Sequence, residues 1–465
     1  MLALFACEKS EKQNEATGAG TSAGEIWMTT GDKLSLFKKS PEGLHFKPIS
    51  SAANLPVIEV DTSEQFQPID GFGYSLTGGS AYLINQKLNP SGRDKLLREL
   101  FLTDANGIGV SYLRISIGAS DLDDHVFSYN DLPAGETDVA MEKFSLAEDQ
   151  KNLVPVLQAI LALNPDIKIM ASPWSAPAWM KTNGSPKGGS LSPKYYSAYA
   201  RYFVKYIQAM SQEGIRIDAI TIQNEPENPM NNPSMIMTAQ EQADFVKNYL
   251  GPAFESAGIN TKIVIFDHNC DHPDYPITVL NDEKAKAFID GSAFHLYLGE
   301  NTALSTVRAA HPDRHIYFTE QWTSPQGTFD GDLKWHVRNL IIGATRNWSR
   351  TVLEWNLAAD SLYNPHTDDG GCTECLGALT IGTTVSRNVS YYIIAHASKF
   401  VRPGSVRVAS TIAGELYNVA FVAPGGQKVL IVLNDGNTAK EFAIQFKNKM
   451  AIALLPPGAV GTYVW

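Results

Sequence analysis

Four cysteines in 465 residues are too few to staple a fold together, so stability must come from a packed core. No apolar run reaches the ~20 residues that a membrane-spanning helix needs. Basic residues are scarce too. The 38 Lys and Arg against 49 Asp and Glu leave a net charge of −11, which argues against nucleic acid or an anionic lipid surface as the main partner. No G-x-G-x-x-G motif opens any helix-like segment, which weakens a dinucleotide-binding reading. What remains is an ordinary globular composition, 44% hydrophobic and 19% charged, long enough for one large domain and a smaller one.

Two of the cysteines, Cys372 and Cys375, form a CxxC in the glycine-rich stretch "DDGGCTECLG". That spacing suits a local disulfide, a free pair or half a metal site, and no second CxxC exists to complete a zinc site. The run "DHNCDHPD" brings His268, Cys270 and His272 together without an ordered metal spacing, so no metal is expected. At the N-terminus, "MLALFAC" precedes the polar "EKSEKQNEATGAGTSAGE". This is similar to the end of a bacterial lipoprotein signal with Cys7 as the lipidated residue, although no basic stretch precedes it and the apolar run is short. On that reading residues 1–24 are leader and tether, and the protein is exported to the bacterial cell surface or periplasm. Its only link to a membrane is then a lipid anchor at Cys7. The alternative is a terminus without targeting meaning.

From residue 66 to 390, strand-like runs alternate with amphipathic segments. Eight runs can be counted, at 68–75, 110–120, 166–174, 217–226, 261–269, 290–297, 314–322 and 350–357. Helical patterns lie between them at 91–101, 148–163, 192–214 and 238–258. The first two open near a Ser or Glu cap, and the last two end at glycine. Near-continuous apolar strands alternating with helices predict a parallel sheet covered by helices, and eight such units predict an α/β fold of the (β/α)8 TIM-barrel type. From 391 to 465 the pattern is antiparallel all-β, with too few strands for a full sandwich. The N-terminal region 25–65 supplies the rest, through a hairpin at 26–38 turning at Gly31-Asp32 and the strand 57–61.

Two of the barrel runs stop at a glutamate. "ITIQNEPENP" reaches Glu225 after the fourth strand, and "HIYFTEQW" reaches Glu320 at the end of the seventh. Strand C-termini form the mouth of such a barrel, so the two carboxyls face one cavity from opposite sides although 95 residues separate them. A carboxyl pair flanking a cavity is what glycosidic hydrolysis requires. Most strand-end glutamates are caps or ion-pair members, but two of them on strands four and seven, in an Asn-Glu-Pro context, are hard to read that way. Asn224 is placed to bond a sugar 2-OH, and Pro226 is expected to hold Glu225 extended. Arg114, within the second strand, is expected to keep a nucleophile ionised. Trp174, Trp322 and Trp355 offer flat apolar faces to a sugar ring, while Asp121, Asp267, His268, His295 and Tyr297 offer hydroxyl partners.

These stretches, taken in order as "GFGYSLT", "LRISIGASD", "ASPWSAPAWMKTNG", "TIQNEPE", "AFHLY", "TEQW" and "EWNLA", resemble glycoside hydrolase family 30, which includes glucosylceramidases and β-1,6-glucanases. The resemblance runs from about residue 26 to the end of the chain. It implies retaining double displacement with Glu225 as acid/base and Glu320 as nucleophile, no metal or organic cofactor, and a sandwich built from both chain ends. By the same match Asp121, Trp174, Asn224, Tyr297 and Trp355 line a glucose subsite with His295 beside them. Retention implies carboxyls about 5–5.5 Å apart, with Glu225 raised in pKa and Glu320 ionised. The loops "DHNCD" and "GGCTECLGALTI" are similar to the β-1,6-glucanase branch, so the expected partner is a β-glucan oligosaccharide and the expected activity endo-β-1,6-glucanase. Glucosylceramide or another β-glucoside is the alternative substrate. A xylanase is disfavoured because no arginine-bearing loop for a glucuronic acid branch is found, and a barrel that binds carbohydrate without catalysis is the remaining alternative.

Overall fold

A computed structural model describes residues 24–49, 55–104 and 106–465. Apart from Gly24, the leader with Cys7 lies outside the described residues. Each of the eight expected runs supplies one strand: β1 (Gly71–Ser75), β2 (Tyr112–Ser116), β3 (Lys168–Ser172), β4 (Ala219–Thr221), β5 (Lys262–Asn269), β6 (Ile289–His295), β7 (His315–Glu320) and β8 (Ser349–Glu354). Every neighbouring pair is parallel, and β8 closes onto β1 to complete the barrel. The strands are buried on both faces, by the barrel interior and by the surrounding helices, which is why they read as apolar runs rather than alternations.

The helices stand where the periodicity puts them, with local chemistry at their ends. The helix Pro90–Phe101 starts at Asn89, whose side chain accepts from the Gly92 N–H, so Asn89 caps it rather than Ser91. Thr238 and Glu241 form a reciprocal capping box at the head of Ala239–Phe245. The chain leaves the last turn of that layer through Gly258 in the left-handed conformation at φ 63°.

The sandwich joins both ends of the chain. Glu25–Thr29 pairs with Val460–Val464, and the long strand Val57–Pro68 pairs with Val406–Ser410 over one part and Lys440–Phe446 over another. The expected start of this module at 391 falls inside a helix, Val389–Ser398, and its first strand after the barrel begins at Val406. Strand Lys428–Asn434 explains the uninterrupted "VLIVL". Leu430 and Val432 face the sandwich interior, whereas Val429, Ile431 and Leu433 join the apolar core of the barrel. One face of the sandwich therefore packs into the apolar core of the barrel, while the sandwich interior is a cluster of its own.

His396 stitches that junction. It is fully buried, with one ring nitrogen 2.8 Å from the Thr462 hydroxyl and the other 2.8 Å from the Thr29 hydroxyl, so it ties the helix to both terminal strands. Burial pushes its pKa down to about 3. Between that value and the ~6.5 of an unfolded histidine the unfolded chain binds the extra proton, so stability is complete above the upper value and falls as pH drops below it. The denaturant midpoint is expected to decline from pH ~7 to pH ~4, and less steeply in His396→Asn; parallel slopes for the two proteins would refute this role.

Candidate active site

Successive strand residues point to opposite faces, so inward positions recur every second residue. Tyr112, Met170, Ala219, Val264, Ala293, Tyr317 and Leu353 form an apolar plug inside the barrel. Two residues further along six of these strands stand Arg114, Ser172, Thr221, His295, Thr319 and Trp355, so a mainly polar layer lies above the plug. On β5 the same step from Val264 would turn Phe266 inward. Instead Phe266 and Asp267 take left-handed φ values of 72° and 65°, and the ladder with β6 slips between Ala293 and Phe294. This irregularity turns Phe266 out against Tyr275 and Phe294 and turns Asp267 in.

Asp267 is wholly buried and accepts from Arg114 Nη2 (2.8 Å), the Thr221 and Thr319 hydroxyls (2.7 Å each) and the Ser172 hydroxyl (3.1 Å), with His295 Nε2 3.0 Å away. The sequence placed it at the mouth as a substrate contact; it lies beneath the mouth, out of reach of a sugar. Burial alone would raise its pKa, but the Arg114 charge and the His295 bond hold it well below the carboxylate range. Arg114, also fully buried, donates to Glu320 Oε2 at 2.6 Å and to Asn224 Oδ1 at 2.6 Å, and its guanidinium lies 4.9 Å from the Trp174 ring centre. With its Oδ1 tied to Arg114, Asn224 has its amide N–H groups left to offer.

Glu225 departs from expectation in two ways. The ladder of β4 ends at Thr221, and Glu225 sits at φ 45°, left-handed rather than extended. Its N–H bonds the Asp267 carbonyl at 3.0 Å, and its own carbonyl accepts from the Asn228 N–H at 2.9 Å. Pro226 disfavours only the right-handed alternative. Such a conformation costs about 1–3 kcal/mol, a strain typical of functional positions. The carboxylate of Glu225 also has partners that the sequence reading missed: Asn228 Nδ2 and Asn231 Nδ2 donate to Oε2 at 2.7 and 3.1 Å. The amide-rich "NPMNNP", beginning three residues after Glu225, is the signal that could have found them.

His295 Nδ1 stands 3.2 Å from Glu225 Oε1 and 3.7 Å from Glu320 Oε1. Those two contacts bound the separation of the two oxygens at about 7 Å, which admits the ~5–5.5 Å of a retaining pair. The Tyr297 hydroxyl donates to Glu320 Oε1 at 2.9 Å. The pKa shifts of the pair run opposite to those expected. Burial raises Glu225, but the bond and charge of His295 and the charge of His268 outweigh it and hold it at about 2. Burial raises Glu320 against the pull of His295 and Arg114. Burial lowers His295, yet the surrounding carboxylates raise it to about 9.

Around this pair Asp121, Trp174, Asn224, Tyr297 and Trp355 close the mouth, with Trp174 and Trp355 5.4 Å apart and Trp322 packed against them. Burial, reinforced by Glu320 and Glu225, pushes Asp121 up to about 8, so it carries a proton that it can donate. Trp174 Nε1, Gln321 Oε1, Asn356 Oδ1 and His268 Nδ1 are buried without a hydrogen-bond partner. Polar groups orphaned together at a barrel mouth suit a ligand rich in hydroxyls. His268 stands 3.9 Å from Glu225 at the rim. Among the described residues Glu225, His268 and His295 are the trio whose ligand atoms lie close enough to hold a metal ion. Both nitrogens of His295, however, already face carboxylates. Removing the buried Asp267 charge in Asp267→Asn is expected to destabilise the fold by about 3–5 kcal/mol in denaturant unfolding. A loss under about 1 kcal/mol, the scale of an exposed pair, would mean that Glu320 and Asn224 satisfy Arg114 alone.

Comparison with known proteins agrees with this geometry. Residues 69–401 match the glycosyl hydrolase family 30 TIM-barrel domain, and residues 404–463 match the glycosyl hydrolase family 30 beta sandwich domain. The chain is 35% identical over 465 residues to an endo-1,6-beta-D-glucanase of Aspergillus fumigatus, covering 93% of this chain and 91% of the fungal protein. It is 27% identical over 439 residues to the lysosomal acid glucosylceramidase of Mus musculus, covering 88% and 82%. A solved endo-beta1,6-glucanase superposes with a TM-score of 0.87 at 34% identity, covering 95% of this chain and 99% of that one. With the barrel, the sandwich and both domain matches in agreement, the chain belongs to glycoside hydrolase family 30.

Proposed function

We propose that the protein is a retaining endo-β-1,6-glucanase in which Glu320 is the nucleophile and Glu225 the acid/base. The observation that carries this reading is the unequal setting of the two carboxyls around His295. Glu320 is held by Arg114 and the Tyr297 hydroxyl, which orient it for attack. Glu225 is held by the two amides of Asn228 and Asn231, from the segment that follows it. In the first step a Glu320 oxygen bonds the anomeric carbon while Glu225 protonates the departing glycosidic oxygen. In the second, Glu225 takes a proton from water, whose oxygen displaces Glu320. His295 Nδ1, the shared neighbour of both carboxyls and raised in pKa to about 9, is placed to pass a proton to Glu225. The pH profile of such a set belongs to the cluster rather than to one residue.

The β-1,6-glucan assignment rests on the relatives. Those with the higher identities are named endo-1,6-beta-glucanases, and the glucosylceramidases stand further off. For the leader, the reading is an exported lipoprotein anchored at Cys7, supported by the apolar run before that cysteine and by the Cys372–Cys375 disulfide, a bond that persists in oxidising compartments. Mass spectrometry of the mature N-terminus in the native host tests it, and an unmodified Cys7 refutes it.

Incubation with β-1,6-glucan is expected to release β-1,6-linked oligosaccharides of several sizes. Glu320→Gln should abolish release, and Glu225→Ala should lose about 10²–10⁴-fold on natural linkages while azide restores turnover of an activated aryl β-glucoside. Activity confined to glucosylceramide would move the substrate, and inertness toward both substrates and the aryl glucoside would leave a carbohydrate-binding barrel.

A further inference from the structure

The stretch 360–377 follows β8, and its central part from 367 to 376 has no regular secondary structure of its own, yet it touches every working part of the mouth. The Thr367 N–H bonds the Asp121 carbonyl at 2.9 Å, and the Cys372 backbone N–H lies close enough to the Asp121 carboxyl to pull its pKa down. The Thr367 hydroxyl donates to the Asn232 carbonyl, and Asn232 Nδ2 donates to the Asp368 carbonyl at 2.8 Å, which grips the segment carrying Asn228 and Asn231 behind Glu225. On the other side the Leu376 N–H bonds the Thr323 carbonyl at 3.1 Å and the Thr323 hydroxyl returns a bond to the Leu376 carbonyl at 3.0 Å, three residues beyond Glu320. Extensions of β2, β4 and β7 thus converge on one short loop.

That loop is kept tight in two ways. A Cβ on Gly371 would lie 2.2 Å from the Thr367 carbonyl oxygen, and one on Gly370 would lie 2.5 Å from the Met230 carbonyl oxygen, so both positions need glycine to approach their neighbours. Glycines also leave the loop many conformations to lose. The disulfide between Cys372 and Cys375 closes it, and the bridge packs against Leu122, Trp174, Trp355 and Trp322.

We infer that the loop 367–376, closed by this disulfide, is a clasp that sets Asp121, the Glu225 segment and the Glu320 segment relative to one another, with Thr367, Cys372 and Cys375 as positioning residues for the hydrolysis proposed above. The clasp rests on that reading of the site. Misplacement of about 1 Å between reacting groups costs up to ~10²-fold in rate. A misplaced acid also harms poor leaving groups most, because a dinitrophenolate departs without protonation.

The test compares the wild type, the wild type reduced under native conditions with a phosphine, the double variant Cys372→Ser/Cys375→Ser, and Thr367→Val, which keeps the disulfide. We expect kcat on a β-1,6-glucan oligosaccharide to fall about ten- to a hundred-fold in the reduced enzyme and the serine variant, with a smaller change in KM. The loss should be smaller on 2,4-dinitrophenyl β-glucoside, reoxidation should restore the reduced wild type, and reductant should not affect the serine variant. Thr367→Val should shift in the same direction by less. Unchanged kcat in both disulfide-free forms, or equal losses on both substrates in step with a lower melting temperature, would overturn the clasp. If the serine variant does not fold, the reduced wild type and Thr367→Val decide. If the wild type hydrolyses neither substrate, the proposed activity fails and the clasp is judged by calorimetric binding of gentiobiose, which should weaken on reduction; equal binding would overturn it.

Discussion

One buried cation organises this molecule. Arg114 lies at the centre of the barrel with no exposed surface, and two carboxylates and an amide oxygen from three other strands or their extensions converge on it. A guanidinium there is tolerable only because its fork is met on every side, which also keeps it protonated. Its partners are held in turn. Asp267 is fixed by three hydroxyls and His295, and Glu320 by Tyr297. The cost of leaving any of these groups unpaired makes the whole polar layer cooperative, so the geometry of the mouth is inherited from the interior rather than from the loops alone.

The backbone earns its irregularities at the places where this layer needs them. The β5 slip turns a charged residue inward where alternation would have placed a phenylalanine, and the β6–β7 slip at Phe294/His295 sets Glu320 opposite His295. The left-handed turn at Glu225 aims its carboxyl at the same histidine. The ladders also slip lower in the barrel, between Ile289 and Gly291 and between Ile316 and Phe318, but the slips at the mouth are the ones that turn polar side chains inward.

The charge pattern of the cavity follows from the same arrangement. Glu225, Glu320, Asp267 and Asp121 crowd around one arginine and one raised histidine, so protons are shared rather than owned. A carboxyl facing His295 and two amides stays ionised, whereas one buried with no donor of comparable strength, such as Asp121, keeps its proton. The direction in which each glutamate's pKa moves is therefore set by neighbours that lie far apart along the chain.

Sequence by itself determined the architecture and the cast. Eight apolar runs spaced by amphipathic segments specify a closed parallel barrel because strands covered on both faces and helices covered on one leave those periods in the chain. Glu225, Glu320, Arg114, Asn224, Trp174, Tyr297, His295, Trp355 and Asp121 gather at one end of the barrel as expected, because residues at and just beyond strand ends can be placed from the apolar runs. The tertiary structure decided what depends on distances between strands. It moved Asp267 from the mouth to the interior, brought in Asn228 and Asn231, joined Cys372 to Cys375 beside the tryptophans, and shifted the pKa of Glu225 down and that of Glu320 up. A one-residue slip in a ladder or a carboxyl's neighbour across the barrel leaves no period in the sequence, because it is set by packing between segments that the chain itself keeps far apart.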